Sequence, residues 1–76
     1  MGRWIRITEL VKDYAYSVWV IEGSKIVEDY LWHGKRDEVK KKVEEKFNVK
    51  CQEWREDWIW NERRQRYVKI VDMICD

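Results

Sequence analysis

The 76-residue chain has no proline, three glycines, two cysteines, one histidine and one phenylalanine. Each scarcity removes a class of explanation. Cys51, Cys75 and His33 are too few for a structural zinc site, which takes four such ligands, so no metal is expected. A single disulfide between the two cysteines is the alternative, but nothing else marks the framework of a small secreted domain, and both thiols are expected to be free. No apolar run approaches the ~20 residues a helix needs to cross a bilayer, so no membrane partner is expected. The opening Met1-Gly2-Arg3-Trp4 lacks the apolar stretch of a signal peptide. Gly2 invites a myristoylation reading, but Arg6 stands where that motif wants Ser or Thr. The expected location is therefore cytoplasmic, in a cell or in an infected host. A strong charge of one sign is missing too: 16 Lys and Arg face 15 Asp and Glu, leaving +1. Such a balance creates no long-range field.

Catalytic inventory is equally thin. There is one histidine (His33), two serines (Ser17 and Ser24) and one threonine (Thr8), and no glycine-rich phosphate loop occurs. The many carboxylates show no spacing that marks an acid–base pair. The expectation is a protein that is not an enzyme and carries no cofactor.

What the chain does have is aromatic and charged side chains: six Trp and four Tyr, with 41% charged residues. Its length allows one domain, 1–76. Residues 3–11 alternate, with Ile5, Ile7 and Val11 on one side and Arg6 and Thr8 on the other, which reads as a strand. Residues 14–22 and 25–33 are β-branched and aromatic, joined by a tight turn at Gly23-Ser24. Gly34 can cap a helix over 35–47, which has Asp37 and Glu38 in its first turn and Lys46 in its last. That helix shows a narrow apolar stripe of Val39, Val43 and Phe47, and Asn48 suits its left-handed exit. Residues 49–55, 57–62 and 66–75 read as three further strands, against a rival helix over 52–66 in which Trp54 and Trp58 lie one turn apart. The fold class is then α+β: an antiparallel β-sheet with one α-helix on one face, in the order β-β-β-α-β-β-β.

A two-residue Gly23-Ser24 loop pairs Ile21 with Ile26, Trp19 with Glu28, Ser17 with Tyr30 and Ala15 with Trp32. Trp19, Tyr30 and Trp32 then share one face. Val18, Val20, Val27 and Leu31 take the other, beneath the helix stripe. One helix cannot cover both sides, so the Trp19/Tyr30/Trp32 face is expected to make an intermolecular contact, either as a homodimer or with a partner.

Two further constellations are candidates for partner binding. Trp54, Trp58 and Trp60 are interleaved with Arg55, Arg63, Arg64 and Arg66, a mixture used for single-stranded nucleic acid. Glu53, Glu56, Asp57 and Glu62 oppose that reading, and Trp58 and Trp60 are expected to share a core face with Val68 and Ile70. This leaves Arg63 and Arg64 at a loop tip, flanked by Trp54 and Tyr67. The triplet Lys40, Lys41, Lys42 is a second basic feature, although Asp37, Glu38, Glu44 and Glu45 make ordinary helical ion pairs with the surrounding lysines.

In size and order of elements, though in no residue motif, the chain resembles the small virus-encoded proteins that act against host defence, the anti-CRISPR type among them. The resemblance implies a compact non-catalytic inhibitor that binds a host protein or nuclease complex, and it carries no functional residue across. The expected partner is thus a protein, with a small single-stranded nucleic-acid-binding domain as the alternative.

Overall fold

The computed structural model describes residues 2–76. Five strands and one helix follow in the order β1 (Arg3–Val11), β2 (Ala15–Glu22), β3 (Lys25–His33), α1 (Arg36–Phe47), β4 (Cys51–Asn61) and β5 (Arg66–Cys75). They form one antiparallel sheet, ordered β3-β2-β1-β5-β4, so the α+β class holds. The strands number five because the segments expected at 49–55 and 57–62 run as one. Glu56, where the break was expected, pairs with Val71 in an unbroken ladder, and the irregularity falls earlier, as a bulge between Glu53 and Arg55 that displaces Trp54. The rival helix over 52–66 is excluded by the same pairing.

The turns follow local chemistry. Gly23 takes φ +64°, as the first position of its two-residue loop requires. Gly34 takes φ +145°, and a Cβ there would meet the Glu38 carboxylate at 3.1 Å, so glycine is needed at this junction. The helix cap itself falls one residue later than expected, at Lys35. Glu38 Oε1 accepts the Lys35 N–H at 2.9 Å, and Asp13 Oδ1 accepts the Arg36 N–H at 2.8 Å. Asn48 ends the helix in the left-handed conformation.

Val39 and Val43 bury against Ile5, Ile7, Tyr16, Val18, Val20 and Met73, with Phe47 half-buried at the margin. The remainder of the expected core differs, and the cause is a second bulge. The β2–β3 hairpin begins in the expected register, with Glu22 opposite Lys25 and Ile21 opposite Ile26, but Val20 then pairs with Glu28 and Val27 is left over. One extra residue moves every later side chain of β3 to the other face. Tyr30 now lies opposite Val18 and Trp32 opposite Tyr16, on the helix side. Both pack against the core, Tyr30 with its ring 6.3 Å from that of Phe47. Val27 and Leu31, expected beneath the helix, are exposed. Trp19 alone of the three rings stays on the uncovered face.

The free-thiol expectation is overturned: Cys51 and Cys75 form a disulfide, with Cα atoms 4.0 Å apart. Lys50 and Asp76 exchange backbone hydrogen bonds of 3.3 and 3.1 Å. The neighbouring Cys51–Cys75 pair is therefore a non-hydrogen-bonded one, where side chains come closest. The crosslink spans 24 residues of sequence, for which chain entropy gives a stabilisation of about 3.5 kcal/mol.

Candidate binding surface

Glu9 decides where the sheet divides. It continues the inward alternation of Ile5 and Ile7 and is 0% exposed. The β1–β5 ladder stops at Thr8 and Asp72. One step further, Glu9 Oε1 accepts the Val71 N–H at 3.0 Å, so a side chain replaces the next backbone partner. The same oxygen accepts Arg36 Nη2 at 2.9 Å. Oε2 accepts the Asp13 N–H at 2.6 Å and the Tyr16 hydroxyl at 3.2 Å. Four donors satisfy this buried carboxylate and pin the helix start to the sheet. Burial, then the Glu9 charge and hydrogen bond, push the Tyr16 hydroxyl pKa above its ordinary value. Burial by itself would lower the Arg36 guanidinium, but the Glu9 hydrogen bond and charge outweigh it and the net direction is upward. Sequence reasoning missed Glu9. The available signal was its parity, a carboxylate on the inward side of an otherwise apolar alternation.

Because Arg36 is anchored at Glu9, the helix covers only one end of the β4–β5 hairpin. Twelve helical residues span about 18 Å, whereas the eleven of β4 span about 36 Å. Beyond Glu9 the hairpin continues as an arm whose helix-side face is uncovered. On the arm's helix-side face, Trp58 lies opposite Lys69 and Trp60 opposite Tyr67. These rings are 60%, 46% and 62% exposed for Trp58, Trp60 and Tyr67. Trp60 and Tyr67 meet edge to face at 5.2 Å, and Lys69 pairs with Glu56 at 3.3 Å. Trp58 and Trp60 were expected to share a core face with Val68 and Ile70. Instead Val68 and Ile70, opposite Ile59 and Asp57, are buried on the other side. The reason is the loop: Asn61 pairs with Arg66 across Glu62-Arg63-Arg64-Gln65, which sets the parity. Arg63 and Arg64 do stand at the tip, where Asn61 Oδ1 accepts the Arg64 N–H at 2.8 Å.

The other expected contacts are scattered. Trp54 is not beside Tyr67, because its bulge places it with Arg6 and Arg55, whose guanidiniums lie 5.4 and 4.9 Å from its ring. Both arginines also bond Asp72 Oδ2, at 2.7 and 3.3 Å. This cluster belongs to the uncovered sheet face, where Trp19 neighbours Arg6. Tyr30 and Trp32 flank the helix, and Lys42 Nζ lies 4.2 Å over the Trp32 ring. Lys40 is half-buried on the same helix. Lys41 and Lys42 share a shallow surface with Glu38 and Glu45, a mixed-charge face. The fold thus gathers Trp58, Trp60 and Tyr67 on one face of the arm, while Arg63 and Arg64 at its tip line a cleft with Val11, Lys12, Tyr14 and Val68 and meet none of the other candidates singled out in sequence. No family model matches this chain, and no match was found for it among curated proteins or solved structures.

Proposed function

We propose that the chain is a non-catalytic binding protein that holds a partner protein against the exposed face of its β4–β5 arm. The observation that carries this reading is three adjacent aromatic rings in solvent on a hairpin whose tip bears Arg63 and Arg64. Contiguous exposed apolar surface marks partner sites, and Trp, Tyr and Arg are the residue types that dominate binding energy at protein interfaces. A small rigid domain of this kind acts by occupying a surface of its partner, which is an inhibitor's mode of action. Nucleic acid fits less well, because the net charge is only +1 and the Arg6 and Arg55 guanidiniums are already held by Asp72.

The test compares the wild type with a Trp58→Thr/Trp60→Thr variant in quantitative affinity mass spectrometry from extracts of the source cells, followed by calorimetry on purified hits. Circular dichroism checks that the variant is folded. At least one hit should bind the wild type directly and lose roughly 30-fold or more in affinity with the variant. An unchanged set of hits, or tight binding to single-stranded DNA that collapses with added salt, would overturn the reading.

A further inference from the structure

We propose that the cleft between the two hairpin tips receives an extended acidic segment of a protein partner, added as a strand along the free edge of β5. The proposal rests on the reading of the chain as a protein-binding module and names the chemistry of the bound segment. Three observations carry it.

The first is the edge itself. Val71 donates its N–H toward β1, to Glu9 Oε1, and alternation along a strand aims the backbone groups of Lys69 and Tyr67 the same way. Pairing between β1 and β5 has ended by then. Residues 66–70 therefore have β4 on one side and no strand on the other among the described residues. Open edges of this kind accept an added strand unless something blunts them.

The second is room. The tip of the β1–β2 hairpin and the tip of the β4–β5 arm splay apart and leave a cleft of about 600 Å³. Val11, Tyr14 and Val68 supply its apolar lining. An extended chain places alternate side chains against such a lining while its backbone bonds the edge.

The third is charge. Lys12, Arg63 and Arg64 also line the cleft, and none of them pairs with a carboxylate among the described residues. The nearby Asp13 carboxylate is committed to the helix start, where Oδ1 accepts the Arg36 N–H. Three unpaired cations beside a backbone edge select acidic side chains on the incoming strand. Phosphodiesters share that charge but cannot donate to the unpaired carbonyls of the edge.

The experiment is a titration of the ¹⁵N-labelled full chain, followed by amide NMR. The probe is a blocked octapeptide alternating Val and Glu, with its Val/Lys counterpart and a deoxythymidine octamer as comparators. The Val/Glu peptide should shift the Tyr67 and Lys69 amides and slow their exchange, and an Arg63→Glu/Arg64→Glu variant should weaken it roughly tenfold or more. No shift up to about 1 mM peptide, an equal response to the Val/Lys peptide, or a stronger one to the deoxythymidine octamer overturns the proposal. The Trp58→Thr/Trp60→Thr variant should keep the peptide affinity within about twofold, because those rings lie on a face rather than on the edge. A bound peptide together with unchanged affinity-capture hits would sink the arm reading alone. Lost hits with no peptide binding would sink the cleft alone.

Discussion

At the Cys51–Cys75 end of the β4–β5 hairpin, Met73 and the disulfide lie in the core with Val39 and Val43. At the other end, Trp58, Trp60 and Tyr67 occupy the same face of the same two strands and stand in solvent. The exposed end carries the larger aromatic side chains, so hydrophobicity alone does not decide which half is core. Cover decides it. The helix is roughly half the length of the strand beneath it, and Glu9 fixes where it begins. An alternating strand pattern announces a face that suits packing. Whether anything packs there depends on the length and anchoring of another element.

The most forceful way to break this division is to remove its boundary. Glu9→Ala leaves the half-buried Arg36 guanidinium and the Val71 and Asp13 N–H groups without their acceptor. Removing one partner from a buried ion pair costs about 3–5 kcal/mol. Total stability for a chain this short is on the order of 5–10 kcal/mol, so the variant should be extensively unfolded or melt far earlier. Urea denaturation followed by circular dichroism reads the loss, and a midpoint equal to that of the wild type would show that the four-donor site is not holding the halves together.

A paired substitution sharpens the comparison. Val43 is fully buried beneath the sheet, and Val43→Ala should cost about 2 kcal/mol through lost transfer energy and a residual cavity. Trp58→Thr removes a far larger side chain from the arm, yet keeps strand propensity and should stay within about 0.5 kcal/mol of wild type. Thermal melts of the two variants give the contrast directly. If Trp58→Thr proves the costlier, the arm rings form a core of their own and are not a binding surface.

Much of the scaffold was legible in the sequence, and what was not has a common cause. The first three strands, the Gly23 turn, the helix with its Val39/Val43 stripe and the Asn48 exit all follow from local spacing and propensity. Faces did not, because each depends on single-residue events. The surplus Val27 in β3 exchanged Tyr30 and Trp32 for Val27 and Leu31, and the surplus Trp54 in β4 left that ring out of the ladder beside Arg6 and Arg55. The parity of the β4–β5 loop put Trp58 and Trp60 opposite Lys69 and Tyr67 instead of with Val68 and Ile70. Bulges have no strong composition signal, and one residue suffices to reverse a face. The disulfide was missed for a related reason. Two cysteines 24 residues apart say nothing until the register sets them opposite each other. Arg63 and Arg64 were placed at a loop tip from the outset because a tip requires no register.

A smaller loss than that of Val43→Ala, and one that depends on pH, concerns Tyr16, which reports on the boundary from the covered side. Its hydroxyl is buried and donates to Glu9 Oε2. Burial and the adjacent carboxylate raise its pKa above the ordinary 10.0. A group with a raised folded-state pKa contributes stability that is fully present below the unfolded value. That stability is lost as the pH climbs from the unfolded value through the folded one. Below pH 10, Tyr16→Phe should therefore cost about 1 kcal/mol, the worth of a typical hydrogen bond. Above pH 10 the unfolded tyrosine ionises while the folded one resists, and the wild type loses up to about 1.4 kcal/mol per pH unit from this residue. Phenylalanine has no such dependence, and lysine titration is common to both proteins. Tyr30, whose pKa is raised by its hydrogen bond to Glu28, is likewise present in both. The gap between wild type and Tyr16→Phe should close as the pH rises from about 10 to 11. Parallel urea midpoints across that window would mean that Tyr16 ionises as freely in the fold as outside it, and that the Glu9 junction is wetter than its geometry indicates.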